Sequence, residues 1–153
     1  MMSGYHGREK ETAEASWFDA DGQRFQRSGD IGWFDADGFL HLLDRKKDVI
    51  ISGGFNVYAI DLENVLVQNP DVAEVAVIAA PSREWGETPV AFAVLRNDAA
   101  PEVIRKWAND QLGKTQRISR LIAIGALPRS SIGKVLKREL RQRLTESPDP
   151  GLV

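Results

Sequence analysis

Four short stretches of this 153-residue chain carry side chains suited to chemistry on sugars and phosphates. Arg27-Ser28-Gly29-Asp30 sets a carboxylate beside a glycine. An ionised carboxylate offers two acceptor oxygens, which match the two donors of neighbouring ribose hydroxyls. The glycine lets a ligand come close to the backbone. A plain turn aspartate is the alternative. Asp44-Arg45-Lys46-Lys47-Asp48 presents a planar guanidinium fork that suits ribose or phosphate oxygens. An exposed ion pair of Arg45 with Asp44 or Asp48 is the alternative. Gly53-Gly54-Phe55-Asn56-Val57 loosens the backbone after a β-branched run, either to end a strand or to let a thin ligand pass. Pro128-Arg129-Ser130-Ser131-Ile132-Gly133-Lys134 ends on a lysine on a glycine-bearing loop at the start of a helix. There a compact positive charge and the helix N-terminus would both favour an anion. A lysine also suits charge developing at a phosphorus centre and an attacking carboxylate. A surface lysine is the alternative.

These residues need elements to hold them. Phe39 to Leu43 and Val49 to Ile51 read as short strands joined through Asp44 to Asp48. Charge between two apolar strands favours a bend there, and hinges lie at element ends; an ordinary hairpin turn competes with that reading. Ala59 to Asn69 reads as a helix stopped by Pro70. Val72 to Ala79 and Pro89 to Leu95 read as strands, the second after a turn at Trp85-Gly86-Glu87. Pro101 opens a helix running to about Leu112. Leu121 to Ile124 is a further strand, and Val135 to Leu144 a closing helix with Leu136, Leu140 and Leu144 on one face. Trp17-Phe18-Asp19-Ala20-Asp21-Gly22 recurs as Trp33-Phe34-Asp35-Ala36-Asp37-Gly38, which reads as two turns of like chemistry. The fold class is α+β: a leading β-hairpin, then a small mixed sheet packed with about three helices.

Composition narrows the function. The chain has no cysteine, so disulfides, thiolate catalysis and cysteine metal sites are excluded, and a reducing cytoplasm is the default location. No apolar run is long enough for a membrane span. Residues 1–100 carry 9 basic and 17 acidic side chains and residues 101–153 carry 11 and 5, so the net charge of −2 hides −8 followed by +6. The basic excess peaks at Lys134, Lys137, Arg138, Arg141 and Arg143. It reads as a solvated helix face or as a phosphate- or partner-facing end. No aromatic residue lies between 108 and 153 to stack bases, which argues against nucleic acid as a partner. His6 and His41 read as structural. No metal-ligand spacing, Ser-His-Asp set or Walker loop is present.

Taken in order, these stretches resemble the C-terminal domain of the adenylate-forming superfamily: acyl-CoA synthetases, adenylation domains of peptide synthetases and luciferases. Gly4-Tyr5 with Glu11-Thr12-Ala13 is similar to the segment near the end of that family's large domain. Arg27 to Asp30 resembles its "RTGD". Asp44 to Ile51 with Gly54 to Val57 and Leu62-Glu63 resembles its hinge motif, and Pro128 to Lys134 its last catalytic motif. The wording from Asp44 to Tyr58 is most similar to fatty-acyl-CoA ligases.

The resemblance implies a two-step reaction, in which a carboxylate and ATP give an acyl-adenylate and CoA then displaces AMP. It implies that Asp30 binds the ribose of ATP with Arg45 beside it, and that Asn56, where some relatives carry arginine or glutamine, faces the nucleotide. Lys47 would be the hinge, Lys134 would serve adenylation, and Gly53 and Gly54 would line a pantetheine tunnel. Mg2+ would come with ATP, held mainly by the large domain. The expected partners are that large N-terminal adenylation domain, ATP or AMP, a fatty acid and CoA. Residues 1–44 would be the tail end of the large domain with the leading hairpin, 45–146 a mobile lid, and 147–153 a disordered tail. The phosphate loop and acyl pocket of the family have no counterpart here, so the expectation is a fragment of a longer gene product, inactive alone. The alternatives are a lid from a carrier-protein-loading domain or an aryl or small-acid CoA ligase, and a non-catalytic interaction or regulatory module.

Overall fold

A computed structural model describes residues 4–146. The tail from Ser147, expected to be disordered, lies outside the described residues. The chain divides into two compact units, the first reaching Lys47 and the second starting at Asp48.

The first unit holds a short helix, α1 (Glu9–Glu14), and two antiparallel hairpins: β1 (Ser16–Phe18) with β2 (Arg24–Gln26), and β3 (Asp30–Phe34) with β4 (Leu40–Arg45). The repeated Asp-x-Asp-Gly builds the same turn twice. Asp19 Oδ1 accepts the N–H groups of Asp21 and Gln23 at 3.0 and 2.8 Å, and Asp35 Oδ1 those of Asp37 and Phe39 at 3.0 and 2.9 Å. Gly22 and Gly38 close these turns at φ of 77° and 83°, where a side chain would be strained. No described residue before Asp48 is buried, and Trp17, Phe18, Trp33, Phe34, Phe39, Leu40 and Leu42 are all exposed. Among its described residues the first unit therefore has no core of its own.

The structure removes the competing reading of Asp44 to Asp48 as a hairpin turn joining Phe39–Leu43 to Val49–Ile51. β4 pairs back onto β3, and a single 3-10 turn at Lys46–Asp48 leads into a different sheet. The charged cluster is a junction between sheets, not a hairpin turn. The partner strand β3 was hidden because Asp30 and Gly32 break its apolar pattern.

The second unit is built on a five-stranded mixed sheet. β5 (Ile50–Ser52) and β6 (Phe55–Val57) form a hairpin, and β7 (Val72–Ser82) and β8 (Gly86–Leu95) a longer one. β9 (Arg120–Ala123) runs parallel to β8. The order is β6-β5-β8-β7, with β9 also on β8, so β7 is an edge strand. β7 runs past the expected end at Ala79 because an edge strand tolerates Pro81.

Both long strands are apolar on both faces, as strands covered on two sides must be. Val77, Ala91 and Ala93 face one core with α2 (Ala59–Leu66) and α3 (Pro101–Asn109). Ala76, Ile78, Val90 and Phe92 face the other, with Leu140 of α4 (Lys137–Glu146). Asp48, buried at the start of the unit, is held by Arg141 of α4 at 2.8 Å.

Candidate functional site

The first unit positions Asp30 and Arg45. They are opposed in register where β3 begins and β4 ends, and Arg45 Nε lies 3.5 Å from Asp30 Oδ1. The sequence left Asp44 or Asp48 as the alternative partner of Arg45. Instead Asp48 pairs with Arg141, and Asp44 Oδ1 accepts the backbone N–H of Arg45 at 2.7 Å. The corner is braced by backbone: Gly29, at φ 79°, accepts the N–H of Lys46 at 2.8 Å, and Ser28 Oγ accepts that of Asp30 at 3.2 Å. A carboxylate and a guanidinium thus stand side by side, both exposed, close enough to share one ligand and too far apart for a strong hydrogen bond. Lys47 follows, exposed, at the last position of the unit.

The second unit carries Gly53, Gly54, Asn56 and Lys134. Gly53 and Gly54 form the two-residue turn between β5 and β6, at φ of 58° and 82°. Two positive φ values fit the twist of a tight hairpin. Gly53 is also a close approach: a Cβ there would lie 2.7 Å from the Trp85 ring. Its N–H donates to Trp85 O at 2.8 Å. Gly54 has nothing within 4 Å of the same position, so its open side can receive a ligand. Asn56 is exposed on β6, opposite Ile51.

Beside this turn lies a cleft of about 400 Å³, walled by Ser52, Trp85, Thr88 and Asn109 and lined by the cations Arg83, Lys114 and Arg117. Arg105 also lines it, but Glu102 neutralises it: their hydrogen bond lowers the Glu102 carboxyl below the ordinary glutamate range and raises the Arg105 guanidinium. Sequence reasoning missed this cleft. Its signal was present, since Lys114 and Arg117 belong to the basic excess, but they are separated in sequence from Trp85 and the glycine pair.

Lys134 lies on a small closed loop. Ser130 N donates to Lys134 O at 2.8 Å, Gly133 N to Ser130 O at 2.9 Å, and an isolated bridge pairs Arg129 with Val135. That bridge delays α4, which begins at Lys137 and not at Val135 as expected. The lysine is therefore on the loop itself and not in the first helical turn. Its amine makes no ion pair or hydrogen bond among the described residues.

The two sets in this unit sit at opposite ends of one hairpin. The Lys134 loop is tied through Arg129 to Glu74, near the start of β7. The glycine turn and cleft join the other end, where Ser82, Gly86 and Ser52 pair. Glu74 and Ser82 are eight residue steps apart along β7, roughly 26 Å at the usual rise per residue. Among the described residues no group of three or more His, Cys, Asp or Glu could hold a metal ion, and no helix is long and apolar enough to cross a membrane.

Residues 61–134 match the family model described as AMP-binding enzyme C-terminal domain. Over 152 residues the chain is 38% identical to a 2-succinylbenzoate–CoA ligase of Geobacillus kaustophilus strain HTA426, covering 96% of this chain and 29% of that protein. It is similar to the solved structure of ATP-bound MatB from Rhodopseudomonas palustris, with a TM-score of 0.82 and 33% identity over 94% of this chain and 28% of that one. A Mycobacterium tuberculosis fatty acyl CoA synthetase gives a TM-score of 0.68 at 37% identity, over 95% of this chain and 28% of that one. The chain thus spans less than a third of the length of the relatives it matches.

Proposed function

From the premise that this chain belongs to the family of AMP-binding enzyme C-terminal domains, we propose that it is the mobile lid of an ATP-dependent acid–thiol ligase, alternately serving two half-reactions. In the first, a substrate carboxylate oxygen attacks the α-phosphorus of ATP and pyrophosphate leaves, giving an acyl-adenylate. Lys134 neutralises charge on the carboxylate and the α-phosphate, while Asp30 and Arg45 hold the ribose, with Asn56 facing the nucleotide. In the second, the sulfur of CoA attacks the acyl carbon, AMP departs and the thiol proton is released. Gly53 and Gly54 then line the path of the pantetheine arm. Arg83, Lys114 and Arg117 in the adjoining cleft suit the phosphates of CoA. Magnesium enters with ATP, on groups of the large domain, and the reaction belongs to the cytoplasm.

One observation carries this reading: the free amine and the open glycine turn are at opposite ends of the β7–β8 hairpin. A single reaction centre cannot meet both at once, so a domain serving both steps must turn, and Lys47 at the end of the first unit is the pivot. The exposed rings of the first unit, whose described residues form no core, fit a surface covered by the large domain.

The acid is assigned as a fatty acid from the wording of residues 44–58. The 38% identity to a 2-succinylbenzoate ligase favours an aryl acid as the second reading. Calorimetry of this chain with the matching large domain tests the function. A lid docks at least about tenfold more tightly when a stable acyl-adenylate analogue fills the large domain, a gain of about 1.4 kcal/mol. Equal affinity with and without the analogue would show a non-catalytic module. Turnover of ATP, acid and CoA by this chain alone would also refute the lid.

A further inference from the structure

We propose that Glu63 and Glu74 are positioning residues for Lys134, each clamping one end of its loop to the edge strand β7. The catalytic meaning of the clamp rests on the reading above; the clamp itself rests on contacts alone.

At the near end, Arg129 spans two partners. Its Nη2 lies 2.9 Å from Glu74 Oε2 on β7, and its Nη1 donates to the carbonyl of Gly133 at 2.7 Å, one residue before the lysine. At the far end, Lys137 Nζ lies 2.8 Å from Glu63 Oε1. The same oxygen accepts the N–H of Val77 at 2.8 Å. Glu63 of α2 therefore does two jobs. It satisfies a backbone donor in the middle of an edge strand, and it fixes the first residue of α4 to that strand.

Two further features mark Glu63–Lys137 as more than a surface pair. Both side chains are only 18% exposed, so solvent screens them weakly. Lys137 also opens its helix, the end where a positive charge is disfavoured by the helix dipole. A cation sits there because Glu63 compensates it. Between the two anchors, Leu136 N donates to Pro128 O at 2.8 Å and the Ser130–Lys134 bond closes the loop. The loop around Lys134 is thus tied at both ends, while the lysine amine has no partner among the described residues. This is the arrangement electrostatic catalysis needs, a charge held in place before the reaction with nothing to release.

Amide hydrogen exchange on the 153-residue chain tests the clamp. Glu63→Gln keeps an acceptor for Val77 and removes the charge facing Lys137; Lys137→Met removes the other partner. In both, the Ser130 and Gly133 amides exchange about tenfold faster, the scale of one lost charge-assisted hydrogen bond. The Ala91 and Ala93 amides of β8 keep their rates, and Lys137→Arg keeps the loop protected. Unchanged loop exchange, or an equal acceleration of the β8 amides, overturns the clamp. In the whole ligase both variants slow adenylation and spare thioester formation. Adenylation slowed by Lys134→Ala but by neither clamp variant overturns the positioning role. Adenylation indifferent to Lys134→Ala as well overturns the role of the lysine and leaves the exchange result standing.

Discussion

Asp30 and Arg45 face each other across the last rung of the β3–β4 ladder, 3.5 Å apart, with both side chains part-exposed. At that distance and exposure the pair contributes at most about 1 kcal/mol to folding. Under the proposed function the pair instead holds the ribose of ATP. In the whole ligase, Asp30→Asn should raise KM for ATP about 10- to 100-fold, the scale of one charged hydrogen bond. Arg45→Ala should act in the same direction, and the double variant should fall short of the product of the two. Thermal unfolding of this chain should barely move. A KM for ATP unchanged in Asp30→Asn would remove the ribose assignment.

The sheet of the second unit was legible because its strands are long, apolar on both faces and punctuated by Gly and Pro. The first unit was less so. β3 was hidden by Asp30 and Gly32, and α1 by its six-residue length and lack of an apolar face. The candidate site residues were picked out by short-range signals such as a glycine pair and a lysine after a glycine, but each signal left a plain structural alternative, and Asn56 entered only through the family resemblance. Which of them share a surface could not be read that way. Trp85 over Gly53, and Glu63 against Lys137, join residues more than thirty positions apart, and only the pairing of β5, β7 and β8 brings such groups together. The Asp35–His41 contact was missed for a related reason: it crosses a hairpin whose register was not assigned.

Gly53 and Gly54 should separate when each is replaced by alanine. Gly53→Ala meets both a positive φ and the Trp85 ring, so it should destabilise this chain by about 2 kcal/mol or more. Gly54→Ala meets only the positive φ and open space, costing about 1 kcal/mol. In the whole ligase Gly54→Ala should slow thioester formation and leave pyrophosphate release from ATP unchanged. Denaturant unfolding and the two half-reactions check this; a slowed first step would move Gly54 out of the thiol path.

The cations of the cleft should matter for the thiol substrate only. Lys114→Ala and Arg117→Ala each remove an exposed charge from the site assigned to CoA phosphates. Each should raise KM for CoA several-fold, with the effect shrinking as salt rises, while KM for ATP stays constant. A shift in KM for ATP, or none in KM for CoA, would reassign the cleft.

The His41–Asp35 contact, 2.6 Å long, holds the Asp35 carboxyl below its ordinary value of 3.8, helped by the N–H groups of Phe39, Asp37 and Gly38. A depressed carboxyl stabilises the fold above its unfolded pKa, and that contribution is lost as pH falls through the folded one. The β3–β4 turn should therefore persist below pH 3.8 and loosen only in stronger acid. Carboxyl carbon shifts across an acid titration check it. His41→Phe should return Asp35 toward its ordinary value; no change would show that the backbone donors alone set it.

Lys134 bears the largest expected effect. Its loop is closed by hydrogen bonds of 2.8 and 2.9 Å, and its amine is left without a partner among the described residues, so Lys134→Ala removes a charge while disturbing no contact. The fold should be unaffected. Losing a placed charge at a developing anionic centre lowers rate by about 10²–10³. That loss should fall on acyl-adenylate formation, while thioester formation from pre-made acyl-adenylate proceeds near its normal rate. The split follows from the hairpin: when the glycine turn is at the reaction centre, the far end of β7, and the lysine loop tied to it, is roughly 26 Å away. Equal losses in both half-reactions would mean that one placement of the domain serves both steps. The lysine would then lose its special role in the first.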